Sequence, residues 1–106
     1  NMKFNIKEWQ ETYLAEDKNQ VKKWVKQVQS ETGYKTKIDN GKGVYIPNGP
    51  SANPDYDGDM VWGWTPGDTA WTETRGGTAY YKDKIDNIDD FIELVNNPRK
   101  TMGKWS

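Results

Sequence analysis

DMVWGWTPGDTAWTETRGGTAYY, residues 59–81, is the stretch whose reading decides the fold. Apolar and polar residues alternate on either side of Pro66-Gly67-Asp68 and again around Gly76-Gly77. Period-two alternation interrupted by turn residues is the pattern of antiparallel strands joined by short turns, so the stretch predicts a three-stranded β-meander. Side chains two apart on a strand share a face. Met60, Trp62 and Trp64 therefore line one side of the first strand, and Val61, Gly63 and Thr65 line the other. On the second strand Trp71 falls with Thr69, Glu73 and Arg75, opposite Ala70, Thr72 and Thr74. It either plugs the core near the turn or stands on a polar face. Trp62 and Trp64 are read as core residues, each ring burying roughly 150 to 250 Å². The competing reading makes at least one of the three tryptophans a solvent-facing anchor for a partner, since aromatic anchors dominate binding hot spots. Trp71 is its main candidate. Gly63, between two tryptophans, fits a bulge, a close backbone approach, or a face that needs no side chain.

Upstream of the meander, residues 47–58, PNGPSANPDYDG, carry three prolines, two glycines and two asparagines and show no periodicity. Aperiodic loops of this length inside a compact domain are uncommon and often functional. This one leads into Asp55, Asp57 and Asp59, alternate acids around Gly58. Alternate carboxylates in a turn gather oxygen ligands in calcium loops. Here, though, the glycine stands at the fourth position instead of the sixth, and Pro66 occupies the place of the twelfth-position glutamate. No metal or cofactor is expected, and the acids are read as plain turn chemistry or as a docking surface for a basic partner.

Before the loop, Asn40-Gly41 predicts a two-residue hairpin turn, because both central residues of a type I′ turn need positive φ. Its strands are Tyr34–Asp39 and Gly43–Ile46, the second ended or placed at an edge by Pro47. Two helices, or one helix kinked near Glu16, precede the hairpin. The first is capped by Asn5 and carries an apolar stripe of Ile6, Trp9, Tyr13 and Leu14. The second carries Val21, Trp24, Val25 and Val28 at core-facing helical spacing and is stopped by Gly33. Lys18, Lys22 and Lys26 stack on the opposite face with Lys23 alongside, and Lys35 and Lys37 continue the basic run on the strand. These are read as a solvated face, with a phosphate-contacting ridge as the alternative.

After the meander, Asp86 or Asn87 caps a helix reaching about Asn96, with Ile88, Phe91, Ile92 and Val95 inward and Asp89 and Asp90 complementing the dipole of the first turn. The basic tail Arg99–Ser106 either folds back through Trp105 or stays a flexible arm. The expected architecture is thus a single α+β domain over residues 1–106. About five antiparallel strands, an N-terminal hairpin plus the meander, pack against the two N-terminal helices (or one kinked helix) and one C-terminal helix. A compact body of this length has a radius of gyration of about 13 Å.

Composition bounds the function. The chain has 106 residues, no cysteine and no histidine. Disulfide and thiolate-metal frameworks are excluded, together with His-dependent triads and the commonest general acid/base. No apolar run approaches the roughly 20 residues needed to span a bilayer, and residues 1–20 hold no signal-peptide core. Asn1 before Met2 reads as a residue added ahead of the natural start, and a cytoplasmic location is expected. A net charge of −1 hides an asymmetry of +5 over Lys18–Lys42 and −7 over Asp55–Glu93.

Four function classes stand against these observations. Paired carboxylates beside tryptophans would suit glycoside cleavage, but no motif specifies a pair and the chain leaves little room for a deep cleft. A non-enzyme is expected. A carbohydrate-binding module would use Trp62, Trp64, Trp71 and Tyr80 with Asp68. A nucleic-acid module would use Lys18, Lys22, Lys26, Lys35 and Lys37 with Tyr45 as a stacking platform, against a pI of about 5.4. The favoured reading is a small intracellular protein that binds another protein, of the bacterial or phage accessory type. It would act as an inhibitor presenting carboxylates to the basic cleft of a nucleic-acid-handling enzyme, as anti-CRISPR and anti-restriction proteins do. Its contact residues would be Asp55, Tyr56, Asp57 and Asp59, with Trp71 as anchor.

Overall fold

The computed structural model describes the backbone of residues 6–74, 77–100 and 102–106, and within these the side chains from Asn19 onward other than Thr74 and Met102. Five strands form one antiparallel sheet: β1 (Lys37–Asp39), β2 (Gly43–Gly49), β3 (Met60–Trp64), β4 (Thr69–Thr74) and β5 (Gly77–Lys84). Their order in space is their order in sequence. The N-terminal hairpin and the meander are therefore one continuous five-stranded meander, because the 47–58 loop returns the chain to pair Gly49 with Met60.

Turn chemistry sets the register. Gly67 has a φ of 82° and the Asp68 amide donates to the Thr65 carbonyl at 3.0 Å, a type II turn with proline and glycine where that turn wants them. At the first hairpin Asn40 and Gly41 both have positive φ, 49° and 73°. The pairing of Asp39 with Gly43 leaves Lys42 as one residue more than the two-residue loop expected. β1 is shorter than Tyr34–Asp39, so Lys35 lies outside the strand. β2 does not stop at Pro47: the register shifts between Ile46 and Gly49, and a bulge accommodates a residue with no amide hydrogen to give.

The helical layer starts with one continuous helix, α1, over Ile6–Thr32, the one-helix form of the two alternatives. The polar stretch between the two apolar stripes suggested a boundary, but Ala15, Glu16, Lys18 and Gln20 are strong helix formers and no glycine or proline interrupts them. Asn5 and the side chains of Ile6, Trp9, Tyr13, Leu14 and Lys18 lie outside the described residues. Gly33, at a φ of 78°, donates its amide to the Gln29 carbonyl and ends the helix. A helix of this length reaches about 40 Å. The chain accordingly measures 64 × 24 × 23 Å with a radius of gyration of 16.2 Å, larger than the compact value.

α2 (Ile88–Asn96) is capped by Asn87, whose side chain accepts from the Asp90 amide at 2.9 Å and donates to the Asp90 carboxylate at 3.0 Å. It buries Phe91, Ile92, Leu94 and Val95, Leu94 adding to the expected stripe. Gln27 donates to Asp89 and Asn96 to the Glu31 carbonyl, so α1 and α2 lie side by side. Replacing Asn87 with alanine is expected to cost about 1 kcal/mol in denaturant unfolding, and replacing it with serine only a fraction of that. An Ala variant as stable as the parent would show that the cap contributes nothing.

Both helices cover one face of the sheet. On that face Trp62, Trp64, Val44, Ile46, Ala70 and Thr72 are buried. Trp64 stacks on Phe91 at 5.5 Å and meets Trp24 at 6.0 Å. A buried indole needs a partner for its N–H. Trp64 donates to the Ile85 carbonyl at 3.0 Å and Trp62 to the Pro50 carbonyl at 2.8 Å. The tail packs back: Trp105 meets Trp62 edge-on at 5.4 Å and Tyr81 at 5.3 Å.

Candidate functional site

The face of the sheet turned away from the helices carries a line of side chains set by strand register alone. Lys37 pairs with Tyr45, Tyr45 with Gly63, Gly63 with Trp71, and Trp71 with Tyr80. Residues directly opposite on neighbouring strands share a face, so this row crosses all five strands, a span of about 19 Å at the usual strand spacing. Its centre is bare backbone. A Cβ built on Gly63 would lie 2.2 to 2.6 Å from three atoms of the Trp71 ring, so the indole lies across β3 on a seat that only glycine provides. Tyr45 flanks it, with ring centroids 6.4 Å apart and planes tilted by 41°. Tyr80, at 53% exposure, is the most exposed large hydrophobic side chain described. Val61 and Thr78, each paired with Glu73, form the adjoining row.

Trp71 thus stands on the uncovered face, the second of the two positions open to it, while Trp62 and Trp64 belong to the core. Two of the three tryptophans that a sugar-stacking surface would have used are therefore withdrawn from solvent, leaving Trp71 and Tyr80.

The acidic loop is a separate, folded feature. Asn53 organises it, its side chain accepting from the Asp55 amide at 2.9 Å and its carbonyl from the Tyr56 amide at 3.1 Å. The Tyr56 ring folds over Gly58, and its hydroxyl donates to the Asp59 carbonyl at 3.3 Å. Asp55, Asp57 and Asp59 are exposed. Asp57 faces Arg99 at 3.8 Å with both side chains largely in solvent, a pair that contributes little to stability. The loop is anchored on the helix-covered side, through Pro50 to Trp62 and through the Ala52 amide to the Met60 sulfur at 3.2 Å. No described contact joins it to Trp71. Asp55, Tyr56, Asp57 and Asp59 form one patch and Trp71 belongs to another. Among the described residues no cluster of three or more His, Cys, Asp or Glu side chains could hold a metal ion.

Among the described residues the lysines do not converge. Lys22 and Lys26 are exposed on α1, in the helical layer, whereas Lys37 sits beside Tyr45 on the opposite face of the sheet. Lys35 is exposed in the link between them. Lys104 is bound to Asp83 at 2.8 Å. The hydrogen bond and charge of that carboxylate raise its pKa above the ordinary lysine value.

Sequence reasoning names Tyr80 only for a sugar-stacking surface and does not place Gly63 in a site, yet a signal for both is there. Gly63 and Trp71 are equidistant in sequence from Gly67, and Trp71 and Tyr80 are equidistant in sequence from the Arg75-Gly76 pair. Among the described residues no helix is long and apolar enough to cross a membrane. The chain matches no protein-family model, no curated protein and no solved structure.

Proposed function

We propose that this chain is a non-enzymatic binding protein that engages another protein through the uncovered sheet face centred on Trp71. The observation that carries the reading is the row Lys37, Tyr45, Trp71 and Tyr80, with Trp71 laid over Gly63. Tyrosine and tryptophan are the side chains in which binding energy concentrates, and a protein interface sets such anchors inside a polar rim. Lys37 and Asp39 at one side and Glu73 and Lys82 at the other supply a rim of mixed sign. A phosphate backbone would call for a rim of one sign, so a protein partner is favoured over single-stranded nucleic acid. The exposed acids of the 47–58 loop and Asp59 provide a second contact. They carry the finer proposal that the chain inhibits a nucleic-acid-handling enzyme of the kind that anti-CRISPR and anti-restriction proteins block, by occupying its basic cleft.

Affinity capture from bacterial lysate with mass spectrometry, followed by titration of the captured protein, tests both. Trp71→Ala is expected to weaken binding by about 30-fold or more, the loss typical of a hot-spot aromatic. Joint replacement of Asp55, Asp57 and Asp59 by Asn is expected to weaken it further and to flatten its salt dependence. A partner held equally well by the Trp71→Ala variant would refute the role of the face. Unchanged binding by the triple variant would refute the inhibitory reading. Binding of single-stranded DNA or RNA, or of a sugar array, in place of any protein would move the chain to another class.

A further inference from the structure

The outer edge of β5 points to a second docking site, occupied by the chain's own tail. Tyr80 and Ser106 exchange both backbone hydrogen bonds, at 2.8 and 3.0 Å, and Tyr81 bridges Trp105 in antiparallel sense. This places Trp105 in a slot between Trp62 and Tyr81 and Lys104 on Asp83. The tail is held as a sixth strand would be, but for one bridge only, although β5 is eight residues long. In an antiparallel ladder the backbone groups of alternate residues point the same way. Those of Thr78 and Lys82 therefore face outward with Tyr80's, and among the described residues no backbone group pairs with them there.

Three features show that the strap fits its seat incompletely. The Trp105 Nε1 is buried with no hydrogen-bond partner among the described residues, and a buried donor left unpaired weakens the packing that buries it. The Lys104–Asp83 pair is more than half exposed on both sides, where ion pairs hold weakly. Beside the slot a groove of about 280 Å³ opens between β5 and α2, sharing Tyr81 and Asp83 with the strap. Its floor includes Ile85 and Leu94, and its carboxylates are Asp83, Asp90 and Glu93. Lys84 and Lys100 also line it, Lys100 lying at the base of the strap itself.

We infer that the β5 edge, the Trp62–Tyr81 slot and the acidic groove together form a docking site for an extended partner segment carrying basic residues and a tryptophan, and that Lys104, Trp105 and Ser106 hold it shut. The tail is the template for the ligand. An incoming strand would add backbone hydrogen bonds along β5, place its indole where Trp105 sits and set its lysine or arginine against Asp83, Asp90 and Glu93. Strand addition gives affinity through main-chain bonds and specificity through alternate side-chain pockets.

The probe is a synthetic peptide of residues 99–106, RKTMGKWS, added in trans to the full chain. The intact protein is expected to bind it at least tenfold more weakly than the Trp105→Ala protein, whose slot is empty, and a peptide with its tryptophan changed to alanine is expected not to bind. Because Trp105→Ala removes core packing, its fold is checked by circular dichroism. Lys104→Glu, which loosens the strap from outside the core, is expected to shift affinity in the same direction. In the intact protein the Ser106 amide is expected to exchange with solvent at least tenfold faster than the Trp62 amide. A folded Trp105→Ala or Lys104→Glu protein that binds the peptide no better than the intact chain would overturn the inference. So would a concentration-dependent dimer of the intact chain built by exchanging tails, since the slot would then belong to a second copy.

Discussion

Trp64→Ala is expected to destabilise the fold by about 3 to 5 kcal/mol, the range for truncating a buried aromatic. A small domain has about 5 to 15 kcal/mol in all, so this single change brings the chain close to unfolding. Three losses combine. Trp64 is 1% exposed and its removal opens a cavity that Phe91 and Trp24, packed from two helices, close only in part. The Ile85 carbonyl loses the indole donor that ties the end of β5 to β3. The same carbonyl accepts from Gly67, so the Pro66-Gly67 turn loosens as well. Trp71→Ala removes a ring of equal size that rests on one face of the sheet with its other side in water, and about 1 kcal/mol is expected. Urea denaturation checks the contrast, with midpoints compared at constant slope. Equal losses at the two positions would mean that Trp71 is a core residue and would remove the physical basis for treating it as an anchor.

That division between two tryptophans seven residues apart was partly legible in the sequence. Alternation put Trp62 and Trp64 on one face, and the apolar stripes of α1 and α2 supplied layers to cover that face. Trp71 stayed ambiguous because parity on one strand does not say which face of the next strand it matches. A hairpin turn supplies the missing datum. A turn centred on Gly67 pairs Gly63 with Trp71, the β4–β5 register pairs Trp71 with Tyr80, and a turn centred on Gly41 pairs Lys37 with Tyr45. Tyr45 joins Gly63 across the long 47–58 loop, which has no turn chemistry to fix a register. The row as a whole therefore emerges only in three dimensions. The same holds for the separation of the acids from Trp71. Both are polar or exposed stretches near the meander in sequence, and only the anchoring of the loop by Pro50 and Ala52 under Trp62 and Met60 shows which side of the sheet it serves. The choice between two helices and one stayed open for a different reason: a gap in an apolar stripe does not stop a helix built of strong helix formers.

Gly63→Ala is expected to change sign with its background, and it tests the site more directly than truncation does. In a strand interior glycine is normally the poorer choice, and alanine is favoured by roughly 0.5 to 1 kcal/mol. At Gly63 the new methyl would fall 2.2 Å from Cζ2 and 2.6 Å from Nε1 of Trp71, well inside van der Waals contact. The indole must lift from the sheet or the strands must part, and overpacking of this kind costs about 1 to 3 kcal/mol. With Trp71 already replaced by alanine nothing occupies that space, so the ordinary preference returns and Gly63→Ala is expected to be neutral or stabilising. Because the ring can lift off the sheet, its own contribution of about 1 kcal/mol caps the effect, and the coupling between the two positions, read from a double-mutant cycle of denaturant midpoints, should be about 1 kcal/mol, within what contacting residues show. Partner affinity separates this from a purely structural effect. Gly63→Ala keeps the Trp71 side chain but displaces it, and if the seated orientation of the ring is what the partner recognises, the variant loses affinity nearly as fully as Trp71→Ala, with the double variant no worse than either. Additive losses of stability and unchanged affinity in Gly63→Ala would show that the glycine seat neither holds the indole nor matters to binding.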